Sequence, residues 1–553
     1  MNFLPDPQNP KTGTATIGGM ILASLMLLPL IPSARCEDSV TPISAAMAVA
    51  ENIEWPYQRF NEMAELATTG YPESEKQRGI EMLDQLRVRA ANVARGEDGG
   101  LPIEAVAAGY IEIGEIDTAV EIHQQLGMTD ERIRSLFWRA SHIRYSKKFK
   151  ESDRLLSLMV EAVRDVEIDP KKRNQFLASS SAEFAKNDHI DTAQQIARSI
   201  PDVPWREYAL VEVAKESIPF QSPEQVLEIV ANVADPSKKT GCVFALIEYL
   251  CKVGKPDAAV KYFEKLEEDP KGLDGVRASI AIAFAEAGRI EESEKWIAEV
   301  KDAYSLSMAT KSLAPKLVML GHIAKARGYA SAIKDDYNRC KVLAGMGGAC
   351  LLLGNDDEAM ALFDEANTIV KTFDDPFQNI PLLESIARAA AENGKLDYSL
   401  QIAESMKGKG IQLIDKWEVL SLLSWKYQYS GNTQKALAVA RSIRESDTRI
   451  SSFTSIAANL AFKEKDAEAL EVANQLPKRE DRDEVMEYIS YEMAARKSFQ
   501  KALEVAEKMS APPKKTDALS FIARTYAENK LTPSPEETEI LRRITQDAKR
   551  GSR

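Results

Sequence analysis

The sequence predicts an all-α protein, an α-α superhelix in the form of a right-handed solenoid of about 12 to 13 helix-turn-helix repeats. Three observations predict it. A break residue, most often Gly, recurs at intervals close to 33 residues; a small residue stands seven positions before most breaks; and another stands five positions after. A period of that length in a helix-rich chain denotes a two-helix unit.

The unit is plainest from Leu246 to Leu266, LIEYLCKVGKPDAAVKYFEKL. An apolar helix runs to Val253, breaks at Gly254, and restarts at Pro256 and Asp257 as a second helix whose inner face carries Ala259 and Phe263. A chain of such units grows without one large core, so 553 residues need not mean several globular domains. With 44% hydrophobic and 28% charged residues the chain is ordered and helix-rich, and its net charge of -13 disfavours nucleic acid as a partner.

Residues 1–36 read as a signal peptide or N-terminal anchor. Residues 12–34 carry no charge, and Ile17 to Ile31 is nearly all apolar, with Lys11 before it and Pro32 and Arg35 after it. Its 15 residues reach the upper limit of a signal-peptide core and fall short of the roughly 20 that span a bilayer. Cleavage is expected before Glu37. The expected location is therefore exported, periplasmic or secreted, either free after cleavage or anchored by residues 17–31, with membrane contact only through this segment.

Residues 37–100 form an N-terminal helical capping region, with helical stretches Ala45 to Asn52, Tyr57 to Ala67 and Glu73 to Arg95. Trp55-Pro56 and Gly70-Tyr71-Pro72 separate them. The repeat array occupies residues 101–530. Its turns fall at Gly114, Lys148, Asp188, Gln221, Gly254, Gly288, Gly321, Gly354, Gly394, Gly431, Glu464, Lys497 and Lys530. Seven before the turn come Ala214, Ala281, Gly347, Ser424 and Ser490; five after it come Ala259, Ser293, Ala436 and Ala502. The two small positions are expected to face each other and let the paired helices approach closely. Larger wedges such as Val213, Ile280, Leu313 and Ile456 stand eight before the turn. Acidic residues recur three positions after it, among them Asp117, Glu224, Asp257 and Asp397, where a helix N-terminus favours negative charge. Residues 531–553 read as a C-terminal capping helix and tail, polar on the outer face.

The small residue before the turn, the turn Gly and the Ala after it resemble the tetratricopeptide-repeat family, over roughly residues 101–549. The chain departs from that pattern twelve residues after the turn, where Ile200, Val300, Ile333, Met406 and Ile443 replace a small residue. The resemblance implies that the first helix of each unit lines a concave surface and binds a protein or peptide there. Residues ten, six, three and two before the turn are then the candidate contacts. Aromatics concentrate in two places: Trp425, Tyr429, Phe462 and Tyr491 in three adjacent units, and Trp138, His142 and Tyr145 in an early one. Rings of this kind anchor a helix or an extended peptide, or else pack against the next repeat. The basic set with which some relatives hold a terminal carboxylate is absent, since Lys215, Lys252 and Arg388 stand apart.

No Walker loop, HExxH, GxSxG or CxxC occurs, the four histidines are scattered, and five cysteines fit no disulfide framework. Gly345 to Gly348 superficially matches a dinucleotide loop but falls inside a first helix, where Gly347 fills the small slot. No catalytic residue, cofactor or metal is expected. The sequence thus points to a non-enzymatic protein-interaction scaffold. Two alternatives stand beside it: single-stranded RNA binding in the pentatricopeptide manner, and an envelope enzyme whose site is assembled from distant repeats. Two carboxylates of perturbed ionisation would mark the latter.

Overall fold

The computed structural model describes residues 40–71, 73–93, 101–126, 130–145, 148–165, 169–266 and 273–551, and every regular element among them is helical. Cys36 and the apolar segment 17–31 lie outside the described residues. Among those described, no helix is long and apolar enough to cross a membrane.

Among the described residues, after a single helix Pro42–Ala50, the α-helices come in fourteen pairs, from Pro56–Thr69 with Lys76–Ala90 to Pro512–Glu528 with Pro535–Gly551. The break residues are the turns. Gly114, Gly254, Gly288, Gly321, Gly354, Gly394 and Gly431 hold φ between 72° and 88°, and Asp188, Glu464, Lys497 and Lys530 between 53° and 66°. In each case the next N–H reaches back five residues to close the first helix, as Lys255 does to the Leu250 carbonyl at 2.8 Å. Gln221 turns without a left-handed residue, its N–H bonding the Ser217 carbonyl at 3.0 Å.

The small slots face each other across each pair. Ser293 Oγ donates to the Ala281 carbonyl at 2.7 Å, Ser424 Oγ to that of Ala436 at 3.2 Å, and Ser490 Oγ to that of Ala502 at 3.3 Å. At the unit with its expected turn at Lys148 the register is one residue earlier. Ser152 Oγ bonds the Ala140 carbonyl at 2.9 Å, so Ala140 and Ser152 face each other in place of Ser141 and Asp153. The wedges Val213, Ile280, Leu313 and Ile456 are fully buried between units. Cys242, Cys251, Cys340 and Cys350 are buried and free, and burial pushes the Cys242 thiol up to about 11 and those of Cys251 and Cys340 up to about 12. They are apolar packing residues.

A second repeated device joins one unit to the next. Fifteen residues before the turn a cation reaches back to the end of the preceding second helix: Arg206 to the Ile200 carbonyl at 3.1 Å, Lys239 to Ala231 at 2.8 Å, Lys416 to Met406 at 3.1 Å, Lys515 to Glu507 at 3.1 Å. In other units an acid fourteen residues before the turn reaches forward. Asp274 accepts the N–H groups of Lys301 and Asp302 at 2.9 and 2.7 Å, and Asp483 those of Ser510 and Ala511 at 2.8 and 2.7 Å. Cations meet helix C-termini and anions meet helix N-termini, the favourable sense of each.

The ends of the array meet. Helix Pro42–Ala50 packs on both Pro512–Glu528 and Pro535–Gly551, and Pro56–Thr69 also touches Pro512–Glu528. Asn52 Nδ2 donates to the Ala548 carbonyl at 3.1 Å, and the hydroxyls of Thr69 and Ser520 lie 3.4 Å apart. One apolar core runs from Ala50 to Phe284; the other runs from Ala278 to Ala548 and continues into Ala45, Ala46 and Val49. The solenoid is therefore closed on itself. The last helix buries Ile540, Leu541 and Ile544, leaves Glu536, Glu539, Arg543 and Asp547 exposed, and packs against the first described helix, Pro42–Ala50.

Candidate functional site

Consecutive first helices pack on one another around most of the circuit. Among the described second helices, only Ile116–Gln125 with Phe149–Asp165, and Phe499–Lys508 with Pro535–Gly551, pack closely as neighbours. The tightly packed layer has the shorter circumference, so first helices form the inner wall. Clefts open in the outer layer, one of about 280 Å³ lined by Ile190, Gln194, Gln225 and Ile229.

Helix Ile414–Tyr429 shows what the inner wall presents. Its exposed residues Ile414, Glu418, Trp425 and Tyr429 are spaced four, seven and four apart, a single stripe. Trp425 is 48% exposed and Tyr429 74%, and their rings stack at 5.6 Å. On the next first helix, Ser446–Phe462, Phe462 is 70% exposed. Trp425 and Tyr491 each lie six residues before a turn, and Tyr429 and Phe462 each lie two before, so all four positions belong to the same helical face. Tyr491 differs in its surroundings. It is half-buried, its ring 4.6 Å from that of Phe521 on the following helix, and its hydroxyl donates to Glu487 at 2.6 Å.

Tyr488, exposed and 5.5 Å from the Tyr491 ring, takes the outward place. Its position nine residues before the turn was the signal that sequence reasoning passed over. The early group is separate: Trp138 is 62% exposed and stacks on the exposed His142 at 5.2 Å. The Tyr145 side chain lies outside the described residues. No contact joins this group to the Trp425 group among the described residues.

Where the circuit closes, Glu62 of helix Pro56–Thr69 shares a hydrogen bond with Asp517 of helix Pro512–Glu528. Burial, then the charge of Asp517, pushes the Glu62 carboxyl up to about 9, and burial raises Asp517 as well. One proton between the two is the stable arrangement. Glu65 is raised by burial and by Asp517; Glu487, on the other side, accepts from Tyr491 and lies 2.9 Å from Lys514. Nothing in the sequence joins positions 62 and 517, 455 residues apart. Among the described residues no group of three His, Cys, Asp or Glu side chains is placed to hold a metal ion.

No family model and no curated protein matches the chain. Among solved structures, it is similar to a Rap protein complexed with competence and sporulation factor, at 13% identity over 65% of this chain and 100% of that one, with a TM-score of 0.24. It is also similar to Naa15/Naa10 bound to HypK-THB, at 12% identity over 86% and 98%, TM-score 0.25. A circular tandem repeat protein with novel repeat topology follows, at 12% identity over 93% and 97%, TM-score 0.14. At these scores the likenesses carry no argument, and the chain's own geometry decides. The fold is tetratricopeptide-like. Its paired helices, left-handed turns and facing small slots recur with the period of that repeat.

Proposed function

We propose that the protein is a non-enzymatic scaffold that captures a protein or peptide on the inner wall of its closed helical array. The stacked, exposed Trp425 and Tyr429, with Phe462 on the adjacent helix, carry this reading. Large rings left in water beside one another are the typical composition of a protein-binding hot spot. The test is affinity capture read by mass spectrometry, with wild type beside a Trp425→Ala, Phe462→Ala double variant. Both positions are exposed, so the variant keeps its fold; Tyr491 is a poor choice, because its ring packs on Phe521. Capture of the same proteins by both chains would sink the proposal.

A second reading has one specific observation in its favour. Glu62 and Asp517 share a proton on the inner wall beside Tyr491, the perturbed pair that an acid-base enzyme assembled from distant repeats would need. Hydrolytic activity against a panel of ester, glycoside and peptide substrates, abolished by Asp517→Asn, would favour it. RNA binding has no such support; the charge excess opposes it. Export by way of residues 1–36 is proposed from the sequence, and N-terminal sequencing of the mature protein tests it: a first residue of Met1 would remove cleavage.

A further inference from the structure

Four cations on the sector of inner wall that carries the exposed rings are already engaged. Arg388 is held between Glu384 and Glu418, and Lys426 donates to the Glu392 carbonyl at 3.3 Å. Lys514 lies 2.9 Å from Glu487, and Arg524 sits over the Phe521 ring at 4.9 Å. Carboxylates without a cation stand beside them. Glu62, Glu65, Glu492 and Asp517 form no salt bridge among the described residues, and burial raises all four above the usual carboxylate range.

Aromatic faces interleaved with carboxylates suit one kind of side chain. The stems of Lys and Arg lie along rings, their cations are attracted to ring faces, and their charges pair with carboxylates. A second copy of this chain, at a net charge of -13, is the wrong sign. Resting on the scaffold reading, we infer that this sector docks a Lys- and Arg-bearing segment of a partner protein across Trp425, Phe462 and Tyr488 toward Glu492 and the Glu62–Asp517 pair. From the Trp425 helix to the Glu62 helix is four steps between neighbouring first helices, about 10 Å each. An extended segment of about 12 residues spans that distance.

The test uses two synthetic 16-residue peptides, one a Lys-Leu-Ser-Lys repeat and the other with Glu in place of every Lys, titrated into the full chain by calorimetry in two buffers of different ionisation enthalpy. The Lys peptide binds at least tenfold more tightly than the Glu peptide, and Trp425→Ala with Phe462→Ala weakens it at least tenfold. Its arrival favours the ionised carboxyl pair, so binding releases protons, and Glu62→Gln reduces that release. No binding of the Lys peptide, or equal binding of both peptides, overturns the inference. Ring-dependent binding of the Glu peptide alone would sink the charge inference and leave the scaffold reading standing. Lys-peptide binding that ignores the rings and needs only the carboxyls would instead remove the ring-based site itself.

Discussion

A Cβ at position 347 would stand 2.5 Å from the Phe363 ring, which fills the space a side chain would take. Gly347→Ala therefore overpacks a fully buried contact and is expected to destabilise by about 1 to 3 kcal/mol, read by urea denaturation. The slot was legible because the small residue repeats at fixed distance from the turn; the ring that fills it was not. Lys497 and Glu464 hold left-handed backbone that suits Gly better, and replacing either by Gly is expected to stabilise by about 1 kcal/mol, read as a rise in Tm. His123 is buried, and neither ring nitrogen has a hydrogen-bond partner. Burial pushes it down to about 4, with Glu104 opposing and Arg139 and Arg132 assisting. Its neutral form belongs to the folded state, so the stability it permits is complete above the ordinary value of 6.5 and is lost as pH falls toward 4. At pH 5 the penalty is about 2 kcal/mol, and His123→Leu is expected to remove it; equal acid sensitivity in the variant would contradict the assignment.

At the scale of the helix, the chain is held together by contacts that cross from unit to unit. The acid three residues after the turn was expected to serve its own helix N-terminus. Several of these acids in fact bind the next unit as well: Asp257 meets Arg289 at 2.7 Å, and Glu224 accepts from the Tyr262 hydroxyl at 2.6 Å. The cations that reach back from some first helices and the acids that reach forward from others were missed altogether, because a charge at a helix start reads as surface until its neighbours are in place. Asp483 shows the strength of this device. It is almost fully buried and accepts three hydrogen bonds, from the N–H groups of Ser510 and Ala511 and the Ser510 hydroxyl. Asp483→Ala leaves the start of helix Pro512–Glu528 uncapped, and the expected loss is about 2 kcal/mol. Hydrogen exchange should locate the loosening in residues 510–516, with the units before residue 460 unchanged; uniform loosening would mean the units are more tightly coupled than these bonds require.

Across the whole molecule, period and slots revealed how helices pair, and nothing in them revealed that the circuit closes. Closure depends on a small rotation per unit summed over fourteen pairs, and on contacts such as Asn52 with Ala548 that have no local trace in the sequence. The seam so formed carries its own titration. In the unfolded chain Glu62 ionises near 4.5, whereas in the fold burial, Asp517, Glu65 and Glu487 hold it protonated to about 9. Lys514 and Arg524 face the same group of carboxyls but lie on Glu487 and Phe521. A folded state that binds the extra proton is stabilised in full below 4.5 and loses that stability as pH rises toward 9, opposite in sense to His123. The wild-type Tm is therefore expected to fall by several degrees between pH 6 and pH 9. Glu62→Gln keeps the hydrogen bond to Asp517 without the second charge, so the variant should match wild type at pH 5 and exceed it at pH 9. Hydrogen exchange at pH 9 should show helices Pro42–Ala50 and Pro535–Gly551 opening before the middle of the array in wild type, and later in the variant. An unchanged pH slope in Glu62→Gln would place the alkaline sensitivity elsewhere and leave closure to the apolar contacts of Ala45, Ala46 and Leu541 and to the hydrogen bonds of Asn52 and Thr69.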